Sequence, residues 1–512
     1  MEQVESQRRH AVSDWLREHW TSVVIVVVAV VGGLGTVFAW SVASPAGASP
    51  DEDFHIASIW CPTPLGEYCE TKTDAEGNID VSVPNEVAYA ACYAFQPDTS
   101  AWCTLQIADG TFWTSRVDNG LYPGGFYDIM HALVGKDVYS SILLMRIVNG
   151  ALAVLLLGAI ALFLPRSGQR LMAYSTLSVC VPLMIYVVCS INPSGWAVTG
   201  LATAWFGMYA FFVGTSKPRV IVPGVIALIG AAMAAMARTD AGAYLVLGAV
   251  AFTILQSSAV REKLWKAILP AAVLVIGVIG FLSGAQSGAL TGGMSMNQSG
   301  GNRYLLESNL LNIPRLLIDY TAGFIGLNWV DTVMWPVVWV TVAGLSLALI
   351  FLGLRTMDWR KFLAFGGLAG AYVVLPLWIL QQGGDIVGNN VQPRYFVPLI
   401  PLVVSAALWR PKEGGADSLS IAQTVIMYAG LVIAHTIALF TQIRRFVTGL
   451  DGTWLNLDYK AEWWHAGPSP MLTWIMGSAG FAVLALLLFQ VRRDRRENDQ
   501  MGEENLAVVE TV

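Results

Sequence analysis

The chain has 512 residues, of which 55% are hydrophobic and only 13% charged, with a formal net charge of −6. That composition excludes an ordinary soluble domain. It also gives no case for a nucleic-acid partner, because the charges sort by membrane side instead of gathering into one basic face.

About twelve apolar runs of roughly 17–25 residues are long enough to cross a bilayer as helices. They lie near 22–43, 139–164, 171–190, 196–214, 220–237, 242–258, 267–286, 333–354, 362–380, 396–409, 421–441 and 471–491. So many helices, each apolar all round, predict an all-α polytopic bundle over 22–491. Basic residues orient it. Arg8, Arg9, Arg17, Arg166, Arg170, Arg261, Lys263, Lys266, Arg355, Arg360, Lys361 and the arginines of Arg492–Arg496 fall on one side. By the positive-inside rule that side is cytoplasmic, so a multi-pass protein of the cell membrane is expected with both ends, 1–21 and 492–512, inside. The first run is too long for a signal-peptide core and reads as an anchor. The acidic, polar tail is expected to stay unfolded.

The first extracytoplasmic loop, 44–138, opens on Ser49-Pro50-Asp51-Glu52-Asp53-Phe54-His55. Ser49 as N-cap, Pro50 at N1 and Glu52 at N3 would form a capping box. Acids in the first turn also complement the helix dipole. This accounts for Glu52 and partly for Asp51, and leaves Asp53 and His55, although His55 follows Asp51 by four and can pair with it. Cys61, Cys69, Cys92 and Cys103 share this loop, which predicts two disulfides among three possible connectivities; neighbour pairing is the expectation. Cys180 and Cys189 read as packing residues. The Leu121–Tyr127 and Ile191–Trp196 stretches read first as turns.

A second loop, 287–332, holds the glycine-rich Gly292–Gly301 and a helical stretch near Asn309–Tyr320, placed in the interface or re-entering. The third, 442–470, carries Trp454, Tyr459, Trp463 and Trp464, which suit an interfacial belt or a sugar-stacking surface. His131, His435 and His465 read as structural. Inside loops are short, and no Walker loop, GxGxxG or metal-type histidine pair occurs. No cytosolic nucleotide-driven reaction is therefore expected.

A carboxylate cluster leaving the membrane suits a base acting on a lipid-carried substrate. Sugar transfer from a lipid phosphate needs a base at the acceptor hydroxyl and cations on the departing phosphate. Arg238, where the fifth span ends, and Arg394, in Val-Gln-Pro-Arg-Tyr-Phe with no acid nearer in sequence than Asp385, are the candidates. Arg238 has Asp240 close by. Arg303, Arg315, Arg444 and Arg445 read as headgroup contacts.

The Pro-Asp-Glu motif with its nearby His, the Asn-Pro turn, the Tyr-Pro stretch and Gln-Pro-Arg-Tyr-Phe-Val-Pro together resemble the domain-of-unknown-function 2142 family of bacterial polytopic membrane proteins. That family resembles the GT-C glycosyltransferases, multi-span enzymes that use polyprenyl-phosphate sugars. The resemblance implies a GT-C-like fold, Asp51 as base, Glu52 as supporting acid, and Arg394 and Arg238, with Tyr395, around the donor phosphate. Asp53 leaves two carboxylates for the one role, and the adjacent acids permit a divalent metal without demanding one. The expected partners are a polyprenyl-phosphate sugar, membrane lipids, and an envelope glycan, lipid or protein acceptor. The rivals are a flippase or transporter of lipid-linked sugars, which would need ionisable groups in mid-span where Arg146 is the main exception, and a non-catalytic envelope scaffold.

Overall fold

The computed structural model describes residues 23–73, 75, 77–288, 303–411, 413–452, 454–465 and 467–489. The expectations for 1–21, for Gly292–Gly301 and for 492–512 lie outside the described residues. Among the described residues nine helices are long and apolar enough to cross a membrane: Val23–Val42, Val138–Ala161, Pro193–Val213, Lys217–Ala237, Leu264–Leu282, Pro336–Gly353, Trp359–Gly383, Ile421–Val447 and Pro470–Leu488. The chain is a multi-pass membrane protein.

The expected twelve spans differ from these nine at three places, each with a local cause. The run near 171–190 is two short helices, Arg166–Leu177 and Leu183–Val188, parted by a stretch ending in Pro182, which has no N–H to continue a helix. The run near 242–258 becomes the 17-residue helix Thr239–Leu255, about 26 Å long at 1.5 Å per residue. The run near 396–409 opens on the single turns Pro393–Tyr395 and Val397–Leu399, each with proline in its first positions, and continues as Ile400–Leu408. Its longest continuous stretch, Val397–Leu408, is about 18 Å long, well short of a bilayer core of about 30 Å.

The helix Pro193–Val213 stands at the centre of the bundle, 94% buried, whereas the other eight long helices are half buried or less. It packs on Lys217–Ala237 through small residues. A Cβ on Gly200 would stand 2.4 Å from the Gly230 carbonyl oxygen, and one on Gly207 2.8 Å from Ala227 Cβ. The two backbones touch, as small-residue seams in membranes allow. Arg238 is the single non-helical residue between Lys217–Ala237 and Thr239–Leu255, so the hairpin carries it to the end of the bundle where Asp51 lies.

The segment between the first two long helices is a small capping domain with its own core, including Ile56, Ile59, Val81, Val83, Phe126 and Met130. The all-α expectation missed its sheet. Strands Thr71–Thr73, Ile79–Pro84 and Thr111–Thr114 pair antiparallel in that order, with Val81 opposite Thr114. The alternation in Ile-Asp-Val-Ser-Val-Pro turns Val81 and Val83 inward. Disulfides join Cys61 to Cys69 and Cys92 to Cys103, with Cα–Cα distances of 5.5 and 6.3 Å. Cys61 directly follows the acidic-motif helix Glu52–Trp60. For its closed loop of eight residues, chain entropy gives about 2–3 kcal/mol of stabilisation. Replacing Cys61 and Cys69 by serine is expected to lower the melting temperature in detergent, and dithiothreitol is expected to add little further loss at that site.

Elsewhere the loops differ from expectation in detail. Arg303–Ile318 is a helix with Asn309, Ile313 and Leu316 buried and Tyr304 and Leu311 more than 80% exposed. The aromatic segment splits: Trp463 is buried against Phe446, while Trp454 and Tyr459 are exposed and pair at 5.0 Å. Arg445 corrects the headgroup reading. It is fully buried, ion-paired with Asp331 at 2.8 Å, and donates to the Thr99 carbonyl at 2.7 Å. His435 is structural, accepting from Trp40 Nε1 at 2.9 Å.

Candidate functional site

The acidic-motif helix starts differently from the sequence expectation. Asp51, not Ser49, is the residue just before it, at φ 60° and ψ 16° in the left-handed region. Aspartate and asparagine tolerate that conformation better than most residues. The Ser49 hydroxyl is buried without a partner among the described residues, so the capping box does not form. Only its return half exists, with the Ser49 N–H donating to Glu52 Oε2 at 3.2 Å.

Glu52 holds the turn in another way. Its carboxylate is fully buried and receives Arg146 Nε at 3.1 Å, Arg146 Nη2 at 2.6 Å and the Ile191 N–H at 2.8 Å. Arg146 spends its other donors on the carbonyls of Ser41, Ser44 and Pro45. The guanidinium inside the second long helix therefore ties together the end of the first helix, the acidic motif and the Asn-Pro turn. Asn192 adds a bond from Nδ2 to the Pro50 carbonyl at 3.1 Å. That turn, expected as a simple loop, is part of the frame that sets Asp51.

Asp51 points out of this frame, its side chain 39% exposed. One oxygen accepts from Arg394 Nη2 and the other from Arg116 Nη2 at 3.3 Å. Arg116 also clamps both oxygens of Asp53, at 2.5 and 2.9 Å. Arg394 is nearly buried and donates from Nη1 to the Pro50 carbonyl. Its fork is thus not free, as the absence of a neighbouring acid in sequence had implied: the acid comes from 343 residues away. Its Nε is buried without a partner among the described residues.

Arg238 is paired with Asp240 through two bonds of 2.9 and 2.8 Å. It nevertheless joins the cluster, because both arginines lie close to the Tyr395 ring. The Arg238 Cζ is 4.8 Å from the ring centroid and the Arg394 Cζ 5.1 Å. Tyr122 lies 6.0 Å from the Arg238 Cζ and 5.3 Å from the His55 ring. The Asp118 carboxylate fixes it by accepting the N–H groups of Gly120, Leu121 and Tyr122. His55 shares a 2.9 Å hydrogen bond with the Tyr127 hydroxyl instead of one with Asp51.

The electrostatics follow from this packing. Burial pulls the Asp51 carboxyl upward, but Arg394, with Arg116 behind it, holds it down at about 2. Burial, partly offset by Asp51, pushes His55 well below its usual range, so the ring is neutral. Burial raises the Tyr122 hydroxyl to about 12. The cluster is an ionised carboxylate set among three guanidinium groups, with neutral rings around it. Among the described residues no group of three His, Cys, Asp or Glu side chains could hold a metal ion, and the charges of Asp51 and Asp53 are met by arginine.

Asp51, Asp53, His55, Arg238, Arg394 and Tyr395 are thus brought together, while Glu52 faces inward. Arg116, Tyr122 and Tyr127 complete the site. Arg116 had one available signal: it is the sole arginine of segment 44–138.

A family model described as predicted membrane protein (DUF2142) matches residues 34–403. The chain belongs to that family, and the match takes in Asp51, Arg116, Arg238 and Arg394. No curated protein and no solved structure matches it.

Proposed function

We propose that this member of the DUF2142 family is a membrane glycosyltransferase. It takes a sugar from a polyprenyl-phosphate donor on the extracytoplasmic face and passes it to an envelope glycan, lipid or protein. The observation that carries this reading is the direct pairing of Asp51 with Arg394 at the mouth of a cluster that also holds Arg116 and Arg238. A carboxylate base beside a set of guanidinium groups matches what transfer from a lipid phosphate requires.

In the proposed reaction the donor phosphate takes over Arg394, using the unpartnered Nε as an added donor. Arg238, beside the same Tyr395 ring, adds a second guanidinium near it. Asp51, released from Arg394, accepts the acceptor hydroxyl proton as that oxygen bonds to the anomeric carbon. The bond from that carbon to the phosphate oxygen breaks, and its electron pair leaves with the polyprenyl phosphate, which the arginines stabilise. Arg116 keeps Asp53 neutralised and fixes the rim. The flippase reading loses its main support, since Arg146 has its donors filled by Glu52 and backbone carbonyls. Mass analysis of envelope glycans from a deletion strain tests the proposal. A sugar lost in the deletion strain, restored by the wild-type chain and not by an Asp51→Asn chain supports it. Unchanged glycans in the deletion strain overturn it.

The pH dependence carries a sign. Asp51 is depressed to about 2, below its usual 3.8, so its pairing is complete above about pH 4 and is lost only as pH falls toward 2. Between pH 5 and 8 the rate is expected to show no acid limb from this group. Arg394→Gln removes the main influence holding it down. In that variant the limb in kcat/KM against pH is expected to move upward, and the donor KM to rise about tenfold or more, consistent with loss of a charged hydrogen bond.

A further inference from the structure

We infer that the helix Arg303–Ile318 is re-entrant: it stands steeply in the bilayer leaflet on the side of Asp51, its exposed stripe against lipid, independently of the reaction proposed above. The depth follows from two hydrogen-bonded anchors beside the long helix Trp359–Gly383. In the first half of the shorter helix, Asn309 donates from Nδ2 to the Asp385 carbonyl at 2.8 Å and accepts the Val387 N–H at 3.0 Å. That level is just past the end of Trp359–Gly383 from which the chain runs on to Arg394. Near its finish, the Leu317 carbonyl accepts from the Tyr372 hydroxyl at 2.6 Å. Leu317 is eight residues beyond Asn309, about 12 Å, and Tyr372 is eleven residues short of Gly383, about 16 Å. The two descents agree within the reach of a tyrosine side chain. The shorter helix therefore runs down beside the longer one instead of lying across its end. Past it, the Tyr320 hydroxyl meets that of Ser346, ten residues into Pro336–Gly353, and the Asp319–Thr321 turn packs against Pro393–Tyr395.

Three observations make lipid the partner of the outward stripe. First, Trp359–Gly383 has 25 residues and is about 37 Å long, so its ends rise only about 4 Å past a hydrocarbon core of about 30 Å. Residues well below Asn309 then lie inside that core. Second, the helix alongside is the least buried of the nine spans, at 22%, and Val374, near the level of the Tyr372 anchor, is 58% exposed. The stripe continues a surface that already faces lipid. Third, polar groups of the helix are answered within it. Arg303 pairs with Glu307 at 2.8 Å in the upper turns, and Asn312 Nδ2 donates to the Ser308 carbonyl at 2.9 Å. Leu310 and Leu311 are 51% and 83% exposed. Arg315 is the sole ionisable residue of this helix below Asn309. Cα–Cβ bonds tilt toward a helix N-terminus, here the water side, so its long stem carries the guanidinium back toward the headgroup phosphates.

The full chain in phosphatidylcholine nanodiscs tests this. Tyr304→Cys, Leu311→Cys and Arg315→Cys, each on a Cys180→Ala, Cys189→Ala background, carry a thiol-linked fluorophore at three successive heights. Quenching by iodide in water is expected to fall several-fold from 304 through 311 to 315. Quenching by a nitroxide on the lipid acyl chain is expected to rise in the same order. Equal iodide quenching at all three positions would mean a helix lying flat at the surface, and it overturns the inference. Probes at 311 and 315 shielded from both quenchers would mean a face covered by protein, such as a second copy of this chain, and overturn it too. The readout involves no sugar transfer, so its failure and that of the proposed reaction remain distinguishable.

Discussion

Asp51→Asn is expected to lower the transfer rate by about 10²–10⁴-fold, the range over which a positioned base contributes, while leaving the melting temperature within a degree or two. Asparagine suits the test because it accepts the left-handed backbone that Asp51 adopts at φ 60°. It also keeps an amide oxygen for Arg394. What it removes is the capacity to take a proton. Donor KM is expected to change little, because the arginines that would hold the phosphate remain. Asp53→Asn is the matched comparison. Both Asp53 oxygens lie against Arg116 and its side chain is only 15% exposed, so its loss is expected to cost less than tenfold. If Asp53→Asn abolishes transfer and Asp51→Asn does not, the base is the other carboxylate. If neither does, the enzyme reading falls with them.

What the sequence made legible was local chemistry. The acidic motif stands out because charge beside a span is rare, and the two disulfides follow from cysteines that sit close together in pairs. Arg394 could be singled out as a candidate, but its partner could not. No periodicity connects residues 343 apart, and only the folded bundle places Pro50, Asp51 and the Pro393–Tyr395 turn side by side. Arg445 was misread for the same reason: as a basic residue near a helix end it looked like a lipid contact, yet Asp331 lies against it in the interior. The broken spans near 171–190 and 396–409 were apolar enough to suggest crossings. Proline decides there, by removing backbone donors, and a hydropathy window does not register that. The capping box was a plausible pattern defeated by a stronger partner, since Arg146 takes the carboxylate that the box would have used.

Glu52 is where this competition has its largest consequence for stability. The family resemblance implies an acid that assists the base, but its surroundings assign it to holding the fold. The carboxylate is 0% exposed and the Arg146 side chain 3% exposed. Removing one member of a buried pair leaves the other uncompensated, which costs about 3–5 kcal/mol. Glu52→Ala also strips the Ile191 N–H of its acceptor, adding about 1–3 kcal/mol for a buried donor left unmade. A loss of that size approaches the net stability of an ordinary domain, so Glu52→Ala is expected to express poorly and to elute aggregated in size-exclusion chromatography. Glu52→Gln retains an oxygen for Ile191 or Arg146 and should lose less. Pairing it with Arg146→Met removes both charges together, and exchange of a buried ion pair for apolar or neutral groups is often close to neutral. The double variant is therefore expected to melt above the Glu52→Gln single variant. Activity per folded molecule separates the two roles. If Glu52 only positions Asp51, the double variant should retain transfer within about tenfold, far above Asp51→Asn, whose loss follows general-base removal. If the double variant folds as well as the wild type but is as inactive as Asp51→Asn, Glu52 takes part in the chemistry and the division of labour between the two neighbouring acids is wrong.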